Sequence, residues 1–206
     1  MAEYAKLSVR DAEAAGDDVQ FIIEAFDSTL TYLESIGSGE QWGEQPFSKR
    51  DGFQQETVEI VAKSQSYRLA RKGEPVRVFV AEVEVSPDAD DDPPSLLPPV
   101  DKGSCRRTPS ASGRRFVRVG AAVVRENWLP PYLLSLPSLK MAIDEVNGRH
   151  DYVFLEVMVA DFRVPESLRK GVGAALIRRA KKYALEEGKE RVLVDCWSGN
   201  GRKLNQ

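Results

Sequence analysis

Residues Phe154 to Asn200 read FLEVMVADFRVPESLRKGVGAALIRRAKKYALEEGKERVLVDCWSGN, and their patterning decides the fold. Leu155, Val157 and Val159 alternate with Glu156, Met158 and Ala160, which is the period of a strand. After a loop comes Arg169-Lys170-Gly171-Val172-Gly173-Ala174. From there Val172, Leu176, Ala180 and Ala184 recur at helical spacing, with Ile177 and Tyr183 widening the apolar face. Gly188 stops that helix. Arg191 to Trp197 reads as a second strand, with Val192 and Val194 on one face. The order strand, glycine-rich loop, helix, strand predicts a parallel strand pair joined by a right-handed crossover.

The loop carries the chemistry. A glycine pair at a helix start lets the backbone come close to a ligand. The free N–H groups there and the positive end of the helix dipole make an anion site. Arg169 and Lys170 add two cationic side chains, and a pyrophosphate is the natural guest.

With this spacing the stretch resembles the GNAT superfamily of N-acetyltransferases, which carries Arg/Gln-x-x-Gly-x-Gly/Ala between its fourth strand and third helix. Gly171-Val172-Gly173-Ala174 match; Leu168 stands at the first position of the motif, with the arginine one place later at Arg169. The resemblance implies a GNAT-like acyl-CoA N-acyltransferase fold, an α/β architecture with a mixed, mostly antiparallel sheet flanked by helices. It also implies acetyl-coenzyme A as co-substrate and an amine, on a small molecule or a peptide, as acceptor.

The remainder of the chain is read outward from this centre. At 206 residues the simplest organisation is one domain spanning 1–206. A net charge of -3 gives no nucleic-acid signal, and no apolar run approaches bilayer length. The N-terminus has no secretory apolar segment, and Cys105 and Cys196 make neither a disulfide framework nor a metal-ligand set, so a cytoplasmic, metal-free protein is expected, with a nuclear location left open. Cys196 reads as a buried structural thiol. His150 is the lone histidine, in a turn, which leaves no material for a Ser/His/Asp triad.

In chain order, Lys6–Arg10 reads as a strand. A helix follows from Gly16-Asp17-Asp18, carrying Val19, Ile22, Ile23, Phe26, Leu30 and Leu33. A polar loop with Gln41 and Trp42 leads to a second helix over Asp51–Ser66. Val76–Val85 and Phe116–Val124 read as an antiparallel strand pair. Between them, 86–115 runs acidic (Asp88, Asp90, Asp91, Asp92), then proline-rich, then basic (Arg106, Arg107, Arg114, Arg115), and reads as a disordered insertion whose arginines swing towards the coenzyme phosphates. A second insertion, 127–147, carries an apolar loop and a short helix from Pro137 with Leu139, Ala142, Ile143 and Val146 on one side, read as a flap on the sheet edge.

The resemblance also distributes roles. Val157, Met158 and Val159 would pair with the pantetheine arm. Arg169, Lys170, Gly171, Val172, Gly173 and Ala174 would hold the pyrophosphate, with Asn200 added to the coenzyme set. Gln41 and Trp42 would border the acceptor pocket. Glu156, the only carboxylate inside its strand, would be the base, and Asp195 a second candidate. The family continues after Asn200 with a helix and a strand pair, whereas this sequence stops at Gln206. That predicts an open sheet edge which invites homodimerisation, and a catalytically incomplete chain. The alternative to an enzyme is accordingly a GNAT-like module that holds coenzyme A, or regulates, without turnover.

Overall fold

The computed structural model describes residues 6–85, 105–109 and 113–201. The Asp88–Asp92 run, the proline-rich part of the first insertion and the last five residues lie outside them.

A mixed sheet is flanked by helices, as the GNAT resemblance implies. Its strands are β1 (Leu7–Asp11), β2 (Val76–Val85), β3 (Arg106–Arg107), β4 (Arg115–Glu126), β5 (Tyr152–Ala160) and β6 (Arg191–Val194). The spatial order is β1-β2-β4-β5-β6, with β3 on the free stretch of β4 beyond the end of β5. All pairs are antiparallel except β5–β6, which is parallel. Helix α6 (Val172–Glu186) covers one face, and α1 (Asp18–Ser35) and α2 (Phe53–Ala70) cover the other. The first core joins Phe79, Val119, Val153 and Leu155 to Leu176 and Tyr183. The second joins Val78, Val80, Val123 and Val159 to Phe21, Phe26 and Val61.

The alternation expected along β5 breaks. Val123 pairs with Val157 but Val124 pairs with Leu155, so Glu156 is an extra residue, a β-bulge. The consequence is a change of face: Val153 and Leu155 join the α6 core, whereas Val157 and Val159 join the α1/α2 core. A bulge at Val119, where β2 passes from Ala81↔Gly120 to Glu82↔Arg118, does the same to β4, so Val117 and Val119 face α6 while Ala121 and Val123 face α1 and α2.

Three further expectations are corrected. The last strand ends at Val194 rather than Trp197. Cys196 is exposed, because it lies beyond that strand; Cys105 is the buried thiol. The returning end of the first insertion is ordered: Arg107 holds both oxygens of Glu82 (2.9 and 2.6 Å), and Arg118 N–H donates to the Cys105 carbonyl (2.7 Å). Arg107 is therefore committed to the sheet instead of reaching for phosphates, and Arg114 stands 3.6 Å from Glu84.

The second insertion forms α3 (Pro131–Leu134), a 3-10 turn (Pro137–Leu139) and α4 (Lys140–Asn147). Leu129 is buried against Tyr152 and Phe154, with Trp128, Leu133, Ile143 and Val146 packed around them. This flap covers the start of β5 on the sheet face that α1 and α2 share.

An ionic cluster locks β1, α1 and the β2–β3–β4 end together. Arg10 holds Asp18 bidentately (2.6 and 2.8 Å) and Glu82 (2.9 Å), and Arg118, 2% exposed, also reaches Asp18 (2.8 Å). Burial alone would push the Asp18 carboxyl up, but the bond and charge of Arg10, the Glu13 N–H and the charge of Arg118 outweigh it and hold it low. Glu82 is likewise held low, its burial outweighed by Arg107 and Arg10. A carboxyl whose folded pKa is depressed contributes stability above its unfolded value, about 4, that is lost as pH falls through the folded value. Urea midpoints should therefore fall steeply below about pH 4. Asp18→Asn should be less stable at neutral pH and show a shallower acid limb; an unchanged limb would sink this account.

Candidate functional site

The site is built where β5 and β6 part. Their ladder runs from Tyr152↔Arg191 to Leu155↔Val194 and stops there, one residue before the bulge. Beyond Val194 the chain crosses to the end of α1, where Asn200 Nδ2 donates to the Ile36 carbonyl (2.8 Å) and to buried Ser38 Oγ (2.9 Å). The outer edge of β5 from Glu156 to Ala160 has no strand partner among the described residues. Asp161 N–H bonds the Val119 carbonyl (2.9 Å), and peptide groups on a strand alternate sides. Val157 and Val159 therefore aim their N–H and C=O groups at β4, and Met158 and Ala160 aim theirs into the splay. Thr29 Oγ1 donates to the Ala160 carbonyl there (3.3 Å).

The glycine-rich loop meets the same edge. Gly171 has φ +82°, a left-handed conformation that glycine adopts without strain, and α6 begins directly after it. The first intrahelical bond is Ala175 N–H to the Gly171 carbonyl (3.0 Å), so the N–H groups of Val172, Gly173 and Ala174 lead the helix without an intrahelical acceptor. No acidic side chain occupies the first turn. Gly173 lies beside Met158, whose Cε would stand 3.6 Å from a Cβ at that position. The glycine loop and the unpaired edge of β5 are thus adjacent.

Gly120 permits this approach. A Cβ on it would stand 2.6 Å from the Val159 carbonyl oxygen and 2.8 Å from Val172 Cγ2, so β4, β5 and the first residue of α6 close on a point where only hydrogen fits.

The remaining residues marked in the sequence fall as follows. Arg169 ends the short helix α5 (Glu166–Arg169); its Nε donates to the Val164 carbonyl (3.3 Å), and its guanidinium lies 4.5 Å over Phe162, which stacks on Tyr32 at 3.9 Å. Leu168 packs on the α6 core, and Lys170 is exposed. Gln41 ends a 3-10 turn. Trp42 folds back onto the core, packing on Phe26 (5.6 Å) and Phe47 (5.4 Å). Trp42 and Val157 both pack against the α1/α2 core.

Glu156 is half-buried and accepts from Arg125 Nε at 2.6 Å. Arg125 also bonds Glu74 and lies 4.7 Å over the Trp128 ring. Asp195 follows the last rung, and its carboxylate accepts from Tyr132 Oη of the flap. Tyr132 and Arg125 carry no signal in the sequence. Neither belongs to a motif, and both act on partners distant in the chain. Among the described residues no group of three His, Cys, Asp or Glu side chains could hold a metal ion, and no helix is long and apolar enough to cross a membrane.

No family model matches the chain, and no curated protein matches it. Solved structures do. AAC(6')-Iy in complex with a bisubstrate analogue, CoA-S-monomethyl-acetylneamine, is 13% identical, with 98% of this chain and 86% of that one covered and a TM-score of 0.42. An aminoglycoside acetyltransferase from an uncultured soil metagenomic sample is 11% identical over 97% and 86% of the two chains, with a TM-score of 0.44. A Trypanosoma brucei acetyltransferase is 16% identical over 94% and 84%, with a TM-score of 0.37.

The Gly120 contact generates a test. Gly120→Ala forces a Cβ onto backbone and should cost about 1–3 kcal/mol of stability. The measurement is the urea midpoint, and a midpoint equal to wild type would show that β4 and α6 have room to part.

Proposed function

We propose that the chain is an acetyl-coenzyme A-dependent N-acetyltransferase. The observation that carries the reading is the adjacency of two features: an unpaired strand edge at Met158 and Ala160, and a glycine-led helix start at Gly171–Ala174. Coenzyme A is a pyrophosphate joined to an amide-bearing arm. A helix N-terminus suits the pyrophosphate, and an unpaired strand edge suits the two amides of the arm. In this reading Val172, Gly173 and Ala174 N–H groups hold the phosphates, with Lys170 outside them. Met158, flanked by Val157 and Val159, pairs with the arm. Arg169, bound to the Val164 carbonyl, shapes the loop, and Asn200 fixes where the far wall of the splay meets α1.

Chemistry would occur at the vertex. A thioester delivered along the splay meets a backbone opened by the bulge, where a freed N–H polarises its carbonyl. The attacking amine surrenders a proton to Glu156, its nitrogen forms the new amide bond, and the C–S bond breaks to release the coenzyme thiolate. The acceptor, a small-molecule or peptide amine, enters from the face of Gln41 and Trp42.

One observation favours a second reading. Arg125 holds the carboxylate of Glu156, which is the arrangement of a structural ion pair, and a module that binds coenzyme A without turnover would need no free base.

Calorimetry with coenzyme A and thiol release from acetyl-coenzyme A over a panel of amines separate the readings: release supports the enzyme, and binding alone supports the module. Gly173→Glu should weaken coenzyme binding at least about tenfold, because bulk and negative charge both enter the phosphate site. Unchanged affinity in a variant that still melts cooperatively would remove the coenzyme from this loop. Glu156→Gln should lower kcat by about 10²–10⁴ with coenzyme affinity retained; full activity would dismiss Glu156 as base.

A further inference from the structure

The flap, residues 127–147, reaches the vertex of the splay through one side chain. Phe154 and Leu193 are partners in the parallel ladder and both contribute to the flap-side core. Successive side chains alternate faces, so Leu155 and Val194 point to the α6 side and Asp195 returns to the flap side. Glu156 meets Arg125 beside Trp128, which is also in the flap core. Tyr132 Oη, donating to Asp195, thus stands at the vertex with carboxylates from both parting strands nearby. Burial, the bond to Asp195 and the charges of Asp195 and Glu156 all push its phenol up in pKa, consistent with that location.

The attachment of the flap is uneven. Its root is firm, with Leu129 buried and Trp128 edge-on to Phe154 (5.9 Å). Its outer part is not: α4 buries no residue, and Leu134 and Met141 are 52% and 88% exposed. Leu133 is the residue of α3 that packs on the core Leu193 also joins, whereas Tyr132 is itself 54% exposed and its hydrogen bond is what reaches Asp195, just past the end of β6. Segments with few buried contacts open first and respond most to a local change.

We propose that Tyr132 is a positioning residue for the splay: by holding Asp195 at the rung where β6 leaves β5, it couples the flap to the coenzyme channel, so that filling the channel orders the flap. This rests on the coenzyme reading above. Coenzyme in the splay fixes both its walls. Asp195 belongs to one wall, and a fixed Asp195 holds the phenol and with it α3. A flap ordered by the coenzyme would then present its Trp128 side to an acceptor only once the donor is in place.

The test is amide hydrogen exchange over 128–147 with and without saturating coenzyme A, binding being verified by calorimetry on each sample. Wild type should show several-fold slower exchange over 128–134 when coenzyme is bound. Asp195→Asn, whose amide oxygen still accepts from the phenol, should keep that response. Tyr132→Phe and Asp195→Ala should bind coenzyme yet lose it, and their coenzyme-free exchange shows whether the root of the flap is still folded. Protection that persists in Tyr132→Phe overturns the proposal. Coenzyme binding by wild type with a silent flap overturns it as well and leaves the coenzyme reading intact. A wild-type protein that binds no coenzyme A overturns the coenzyme reading and this proposal together.

Discussion

One extra residue in β5 sets the geometry on which the candidate site depends. A regular strand would carry its ladder with β6 onward and keep one set of side chains against α6. Inserting Glu156 between the rungs Val124↔Leu155 and Val123↔Val157 bends the strand, exchanges its faces and ends the pairing with β6 at the preceding residue. The splay, the edge of β5 at Met158 and Ala160 that no described strand takes up, and the placement of Glu156 beside Arg125 follow from that insertion. Gly120 is its counterpart: the absence of a side chain there lets Val172 close on β4 and β5, which brings the helix start to the strand edge. The extra residue at the bulge and the tight packing at the glycine are thus two sides of one arrangement.

The vertex is notable for how its charges are held. Glu156 is tied to Arg125, Arg125 to Glu74, and Asp195 to Tyr132. Asp195 is exposed, whereas Glu156 is half-buried, and a half-buried carboxylate with a defined partner keeps a fixed geometry, which suits proton transfer and also resists it. In the proposed reaction an arriving ammonium would compete with Arg125 for Glu156.

Much of the fold was legible in the sequence. Val76–Val85 reads as a strand to the residue, because it is rich in valine, broken only by the single charges Arg77, Glu82 and Glu84, and carries no extra residue. The glycine loop and the start of α6 are equally plain, since glycine pairs and helical spacing are local signals. The change of face in β5 was not legible: Leu155, Val157 and Val159 alternate as a regular strand would, and an extra residue in one strand is defined only against its neighbour. Tyr132 and Asp195 lie 63 positions apart, and nothing in either neighbourhood announces the other. Cys196 reads as buried in the sequence because the apolar pattern suggests a strand as far as Trp197. It ends at Val194, where the ladder stops, and the thiol is left in the open.

The ionic cluster around Asp18 and Glu82 bears on chain length. Val85 ends β2 and Cys105 begins the return to the sheet, and Arg107 on Glu82 fastens the two ends side by side. The entropy of closing a loop grows only with the logarithm of its length, about 0.6 kcal/mol for each doubling. With the ends held at 85 and 105, the entropic part of the closing cost depends only weakly on how many residues lie between them. The stitch thus makes the register of the sheet end depend on the charges of Glu82 and Arg107 and hardly at all on the number of residues it closes.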